Sequence, residues 1–231
     1  MARKIRFNTK LEIIRYATHV ILTKGFSHTS IKDIAKELNI STGNITYHFQ
    51  SKEHLLAELT RHLCEYHRII LDQEVDEGRT SLLAYCMELT SMMAVCEENE
   101  VAKDLYTSVY KHPMTLKLLR EADTEKIKHI FAEFCPDWDD EDFALTENAV
   151  SGIEYASLMK ENAENVPLDR RIVKTLRVVM KAYNVPEDIR EQKIQKVLAI
   201  DYRRIGKRFI EGFTQYIEDY NERALKSAES V

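Results

Sequence analysis

Glycine and proline are scarce, with six and four in 231 residues. Strand-rich folds need turn residues more often than that. Together with the abundance of Leu, Ile, Glu, Lys and Ala, this predicts an all-α protein. Long hydrophobic runs are missing too: none approaches the roughly 20 residues that span a bilayer. The basic start Met1-Ala-Arg-Lys-Ile-Arg6 is not followed by a signal-peptide core, so a cytoplasmic protein with no membrane partner is expected. Cysteine is limited to Cys64, Cys86, Cys96 and Cys135, without C-x-x-C spacing and inside apolar patterns, which predicts buried reduced thiols rather than a disulfide framework. His62, Cys64 and His67 share one helix, but two soft ligands at i, i+3 do not close a metal site. There is no nucleophile elbow, phosphate loop or paired carboxylate, and Asp139-Asp140 falls at a helix start where acids suit the dipole. Neither an enzyme, nor a metal, nor a cofactor is expected.

What is present is unevenly placed. An apolar share of 44% is ample for a core, and the net charge is −5. Through His62 there are ten Lys and Arg against five Asp and Glu, while the rest of the chain holds 23 against 33. A basic first quarter on an acidic protein suggests that this end meets a polyanion, because Lys and Arg near phosphates release condensed counterions.

Between Asn8 and Lys24, Leu11, Ile14, Ala17 and Ile21 form one apolar stripe of a helix that Gly25 closes. Ser30 opens a second helix: Asp33 completes a capping-box spacing, and Ile31, Ile34, Ala35 and Leu38 fall at i, i+3, i+4, i+7. Asn39 is suited to a left-handed turn, and Ser41 caps a third helix that ends at His48 or Phe49. Two helices joined by about three residues make a helix-turn-helix. In the third helix Ile45 and Phe49 must anchor inward, which turns Thr42, Asn44, Thr46, Tyr47 and His48 outward. Gly43 costs up to about 1 kcal/mol in a helix and adds nothing to a core. A surface pressed against another backbone would explain it, since helix N-termini in this motif enter the major groove and a missing Cβ permits close approach; a small solvated helix in a three-helix bundle is the alternative. A fourth helix starts at Ser51-Lys52-Glu53; Lys52 lies in its first turn, where the dipole disfavours a cation, a conflict that either a nearby phosphate or Ser51 and Glu53 themselves would offset.

Residues Asn8 to Leu56 resemble the DNA-binding domain of the TetR (tetracycline repressor) family of bacterial transcription regulators. The likeness is carried by the first-helix apolar series, Gly25-Phe26, Thr29-Ser30, Ile34-Ala35, the run from Ser41 to Phe49, Ser51-Lys52-Glu53 and Leu55-Leu56. Asn39 stands where members commonly have glycine. The resemblance implies an Ω-shaped homodimer with a DNA-binding domain at 7–67 and a helical ligand-binding and dimerisation domain at 68–231. It implies that Thr42, Asn44 and Thr46 face bases, with Ser41 and Gly43 in the same surface, while Thr29, Ser30, Tyr47, His48 and Lys52 hold phosphates. Arg3, Lys4 and Arg6 are a secondary arm. The implied partners are a double-stranded operator, a small-molecule effector and a second copy of the chain. The implied function is a repressor released by its effector; an activator, a ligand-independent repressor, or a helical interaction protein without DNA binding are the alternatives.

Beyond the motif, helices are expected over about 80–96, 99–111, 113–134, 140–164, 168–183 and 187–225, with breaks at Pro113, Pro136, Pro167 and Pro186. Met92, Tyr106, Tyr110, Tyr155 and Met159 are candidates to line an effector pocket, because methionine adapts to irregular apolar shapes and tyrosine brings one hydroxyl per ring. The same residues also describe an ordinary helical core. The last helix, with Gly206 and Gly212 beside Phe209 and Phe213, has an apolar side that something must cover: a dimer interface with the 140–164 helix and its Ala149, Ser151, Gly152 and Ala156 is the economical arrangement, and burial within the monomer is the alternative.

Overall fold

The computed structural model describes residues 2–78, 81–159 and 165–229, with the backbone alone at 2–8, 121–124 and 228–229. The described residues form helices and no strands. In order they are α1 (Ala2–Lys24), α2 (Ile31–Glu37), α3 (Thr42–His48), α4 (Lys52–Glu74), α5 (Leu82–Glu98), α6 (Glu100–Lys111), α7 (Pro113–Phe131) with a 3-10 turn at Ala132–Phe134, α8 (Asp140–Met159), α9 (Leu168–Ala182), α10 (Glu187–Ala199), α11 (Tyr202–Glu211) and α12 (Phe213–Glu229). None of the described helices is long and apolar enough to cross a membrane.

Local chemistry sets most of these ends. Gly25 at φ +91° stops α1, and Asn39 at φ +52° makes the left-handed turn between α2 and α3. Ser30 and Asp33 complete the capping box of α2, and Ser41, Ser51, Ser81, Asn99 and Asp201 each accept a backbone N–H at the start of a helix. Pro113 occupies the first turn of α7, while Pro167 and Pro186 are the N-cap residues of α9 and α10.

α1 to α3 form a small head around Ile13, Ile14, Ala17, Ile34, Ala35, Ile45 and Phe49, which are all buried. α4 leaves this head and runs unbroken to Glu74, across the expected division after residue 67. Its inner face, with Leu55, Leu56, Leu59, Leu63, Ile70 and Leu71, joins the head core to that of the larger helical region, so one hydrophobic cluster runs through both. Three of the four cysteines are buried and all four are free thiols; burial pushes Cys86 and Cys96 up to about 12.

Three expectations are corrected. α1 begins several residues before Asn8. The single final helix is three: Asp201 accepts the Arg204 N–H at 3.0 Å and starts α11, and Gly212 separates α11 from α12. Its apolar side is covered within the chain, not by a second copy. Ile205 and Phe209 are buried as α11 packs on α5 and α4, and Ile217 is buried as α12 packs on α1. Gly206 and Gly212 serve these internal contacts, since a Cβ would collide with the Ser91 carbonyl oxygen in the first case and the Tyr66 hydroxyl in the second. The helix ends expected near Thr80 and Glu164, and the side chains of Arg3, Lys4 and Arg6, lie outside the described residues.

Candidate nucleic-acid interface and adjoining cavity

The outward surface of α3 follows from two anchors. Ile45 and Phe49 are buried at i, i+4, and Ser41, Thr42, Gly43, Asn44, Thr46 and Tyr47 are exposed. Tyr47 is 63% exposed, unusual for so large a ring, and its edge meets the half-buried His48 at 5.1 Å. The Ser41 hydroxyl accepts the Asn44 N–H at 3.1 Å, and Thr46 donates to the Gly43 carbonyl at 3.2 Å. A Cβ at Gly43 would meet only the Ser41 hydroxyl, at an ordinary 3.7 Å. The fold of this chain therefore gives no steric reason for the glycine.

The supporting residues divide differently from the sequence expectation. Thr29 is buried, its hydroxyl donates to the Gly25 carbonyl at 2.7 Å and its N–H to Phe26 at 3.1 Å, so it closes the α1–α2 loop. Ser30 is engaged with Asp33, its hydroxyl 2.6 Å from the carboxylate. Lys52 donates to the carbonyls of Phe26 and Thr29 at 2.7 and 2.8 Å and lies 4.1 Å from the Phe26 ring centroid. Two carbonyl dipoles thus offset the ammonium's conflict with the α4 dipole, where the sequence had suggested a phosphate. Burial lowers the Lys52 pKa, as it does for any ammonium drawn from water.

The head is tied to the rest of the chain at several places. Asp104 of α6 accepts the Ser27 N–H at 2.8 Å and the Ser27 hydroxyl. Phe26 meets His112, just after α6, edge-on at 5.5 Å. Lys10 of α1 pairs with Glu58 of α4 at 2.8 Å. Asn221 of α12 donates to the Leu11 carbonyl at 2.9 Å, and His62 of α4 lies 4.4 Å from the Tyr220 ring.

Beyond the head, α4 to α8 enclose a cavity of about 490 Å³. Of the residues expected to line it, Met92, Tyr106 and Tyr110 do. Tyr155 instead stands behind Tyr110, ring centroids 6.2 Å apart, and Met159 is not in the lining. The polar wall was not anticipated. Glu88 sits between Lys126, at 2.7 Å, and His67, at 3.3 Å. Burial raises the Glu88 pKa, but the Lys126 ammonium and the His67 hydrogen bond outweigh it and hold the carboxyl well below the usual range. His67 stacks on Phe209 at 3.9 Å, and its other nitrogen is 2.9 Å from the Tyr106 hydroxyl. Tyr85 and Tyr110 both donate to Glu154, at 2.7 and 3.1 Å, and Tyr183 donates to Glu147 at 2.7 Å. The clue was available: Glu88 interrupts the nearly continuous apolar run of α5, and Phe143, Glu147, Val150, Glu154 and Leu158 share one face of α8.

Residues 13–59 match the family of bacterial regulatory proteins described as the tetR family. Over 58 residues the chain is 38% identical to the probable HTH-type transcriptional regulator YttP of Bacillus subtilis (strain 168), a match covering 23% of this chain and 28% of that relative. Among solved structures, TylP, a TetR regulator from Streptomyces fradiae, is similar with a TM-score of 0.47 and 16% identity over 97% of this chain and 94% of that one. A gamma-butyrolactone receptor described as ArpA-like gives 0.45 and 15% over 86% and 97%.

Proposed function

Because residues 13–59 match the tetR family of bacterial regulatory proteins, we propose that the chain is a DNA-binding transcriptional regulator: a repressor that holds a near-palindromic operator as a dimer and releases it when a small molecule fills the cavity. The observation that carries this reading is the exposed face of α3, where Thr42, Asn44 and Thr46 surround a glycine that nothing in the chain requires. A helix so presented enters the major groove, where amide and hydroxyl groups read base edges. Ser41 and Tyr47 flank that face, and His48 stands at its C-terminal end.

Coupling between the two regions is supported by shared elements. α4 carries Lys52 under the head loop and Leu63, Cys64 and His67 in the cavity wall. α6 carries Asp104 against Ser27 and, within two turns, Tyr106, Val109 and Tyr110 in the same wall. A ligand that displaces either helix changes how the head is held, and so the spacing of two recognition helices in a dimer.

For the second copy, the exposed face of α8 is the candidate. Leu145 is 61% exposed and is continued by the exposed Ala149, Gly152 and Ala156, while Val178 of α9 is 51% exposed. A Cβ at Gly152 would touch nothing within 4 Å in its own chain. Sedimentation showing a dimer in the parent protein and monomer in Leu145→Glu supports this face; a monomeric parent at micromolar concentration rejects it.

Fluorescence anisotropy on the promoter adjoining the protein's own gene tests the DNA reading. Asn44→Ala should lose about 1–3 kcal/mol for the specific site and little on unrelated duplex. Equal binding of parent and variant to both would reject it.

A further inference from the structure

A second cleft lies outside the larger cavity, where the head meets α7. It encloses about 360 Å³ and is bounded by α1, the end of α3, α4 and α7. Glu58 is the one carboxylate among the described residues that line it. Two cations converge on that carboxylate: the Lys10 ammonium lies 2.8 Å from one oxygen and the Arg61 guanidinium 3.1 Å from the other. Burial alone would raise the Glu58 pKa, but Lys10, His62 and Arg61 outweigh it and hold the carboxyl below its usual range. Glu58 is therefore ionised at neutral pH. Lys10, Arg61 and Glu58 together leave one positive charge in excess, before Lys117, His48 and His54 of the same lining are counted.

Neither cation is exhausted by the pairing. An ammonium has three donors and a guanidinium five, and each uses one on Glu58. Their side chains stay 37% and 61% exposed, so the remaining donors can meet a solute. His54 adds a ring whose Nδ1 is 3.0 Å from the Ser51 hydroxyl, so a further bond from that ring comes from Nε2. Across the cleft α7 supplies an apolar edge, Met114 and Leu118, of which Met114 is 39% exposed.

Charge decides among solutes. A neutral molecule displaces water from Lys10 and Arg61 without replacing its hydrogen bonds, and a cation is repelled by them. A single carboxylate only competes with Glu58, for pairs worth about 0–1 kcal/mol each at such exposure. A phosphate monoester carries close to two charges at neutral pH and three terminal oxygens. It can bond Lys10 and Arg61 together while Glu58 stays paired, and its geometry matches the guanidinium fork. We propose that this cleft is a second ligand site, for a phosphorylated small molecule whose phosphate is held by Lys10 and Arg61 and whose organic part lies on Met114 and Leu118. The site is independent of how the larger cavity is used, although Arg61 and Leu118 line both.

The test uses the full chain in phosphate-free buffer at low salt, titrated calorimetrically with phenyl phosphate and with phenol, its neutral counterpart. Phenyl phosphate should bind roughly tenfold tighter or more, and the difference should shrink as salt is raised. Arg61→Gln and Lys10→Gln should each weaken phenyl phosphate by about threefold to tenfold and leave phenol unchanged. Arg61 is exposed, so that arm holds even if Lys10→Gln folds poorly. Equal affinities for the two probes, or undiminished binding of phenyl phosphate by Arg61→Gln, would overturn the proposal. The DNA backbone is the other source of phosphate, and anisotropy on a labelled duplex separates it. Arg61→Gln should leave the slope of log affinity against log salt unchanged; a slope reduced by about one would assign Arg61 to the duplex and overturn the small-molecule site.

Discussion

Replacing Gly43 by alanine separates stability from function. The position is helical, φ is not left-handed, and the new methyl would meet only the Ser41 hydroxyl at 3.7 Å. Nothing in the chain has to move. Alanine is the better helix former by up to about 1 kcal/mol, less near a helix end, so Gly43→Ala should stabilise the protein by roughly 0.4–1 kcal/mol. For a chain of this size that raises Tm by about 1–4 °C. Operator affinity should move the other way, by tenfold or more, because the methyl occupies the space where groove or phosphate atoms must come close. Thermal melts and anisotropy on one preparation measure both. A variant that is more stable and binds operator as tightly as the parent would refute the close-approach argument, and an unchanged Tm with lost binding would refute the helix-propensity part alone.

Three further outcomes are expected. Lys52→Met removes a charged donor from the Phe26 and Thr29 carbonyls and should cost about 1–3 kcal/mol in urea unfolding. It should leave the slope of log affinity against log salt unchanged, whereas a slope reduced by about one would restore the phosphate role that the sequence suggested. Gly206→Ala drives a methyl into the Ser91 carbonyl and should loosen α11 from α5, costing roughly 1–3 kcal/mol by the same assay; an unchanged midpoint would mean that the packing yields. Burial pushes His62 below its ordinary pKa of 6.5, so the unfolded chain takes up this proton first and stability falls as pH drops through and below about 6.5. His62→Phe should flatten that fall, and an identical pH dependence in the variant would show that His62 does not cause it.

The head was legible because its structure is written in short-range chemistry. A glycine, an asparagine and three serines mark its turns and caps, and Ile45 with Phe49 fixes which side of α3 faces in. Lys52 and Thr29 misled because their partners are backbone carbonyls brought together by the tertiary fold, and no sequence spacing encodes a carbonyl's direction. Residues 187–225 read as one helix because Tyr202, Ile205, Phe209, Phe213 and Tyr216 keep helical spacing across the break at Gly212. Its apolar side then suggested a dimer interface, when α1, α4 and α5 already cover it. The cavity was half legible. Soft and aromatic residues drew notice to Met92, Tyr106 and Tyr110, but carboxylates on helices ordinarily face water, so Glu88, Glu147 and Glu154 gave no local sign that five helices converge on them.

The central claim is that α3 is offered to the edges of paired bases. Selection of bound sequences from a pool of random duplexes tests it most directly. The account predicts an enriched near-palindrome, bound with steep salt dependence, whose enrichment collapses when Thr42, Asn44 and Thr46 are all replaced by alanine. No enriched site from the parent protein, or the same site recovered with the triple variant, would contradict it.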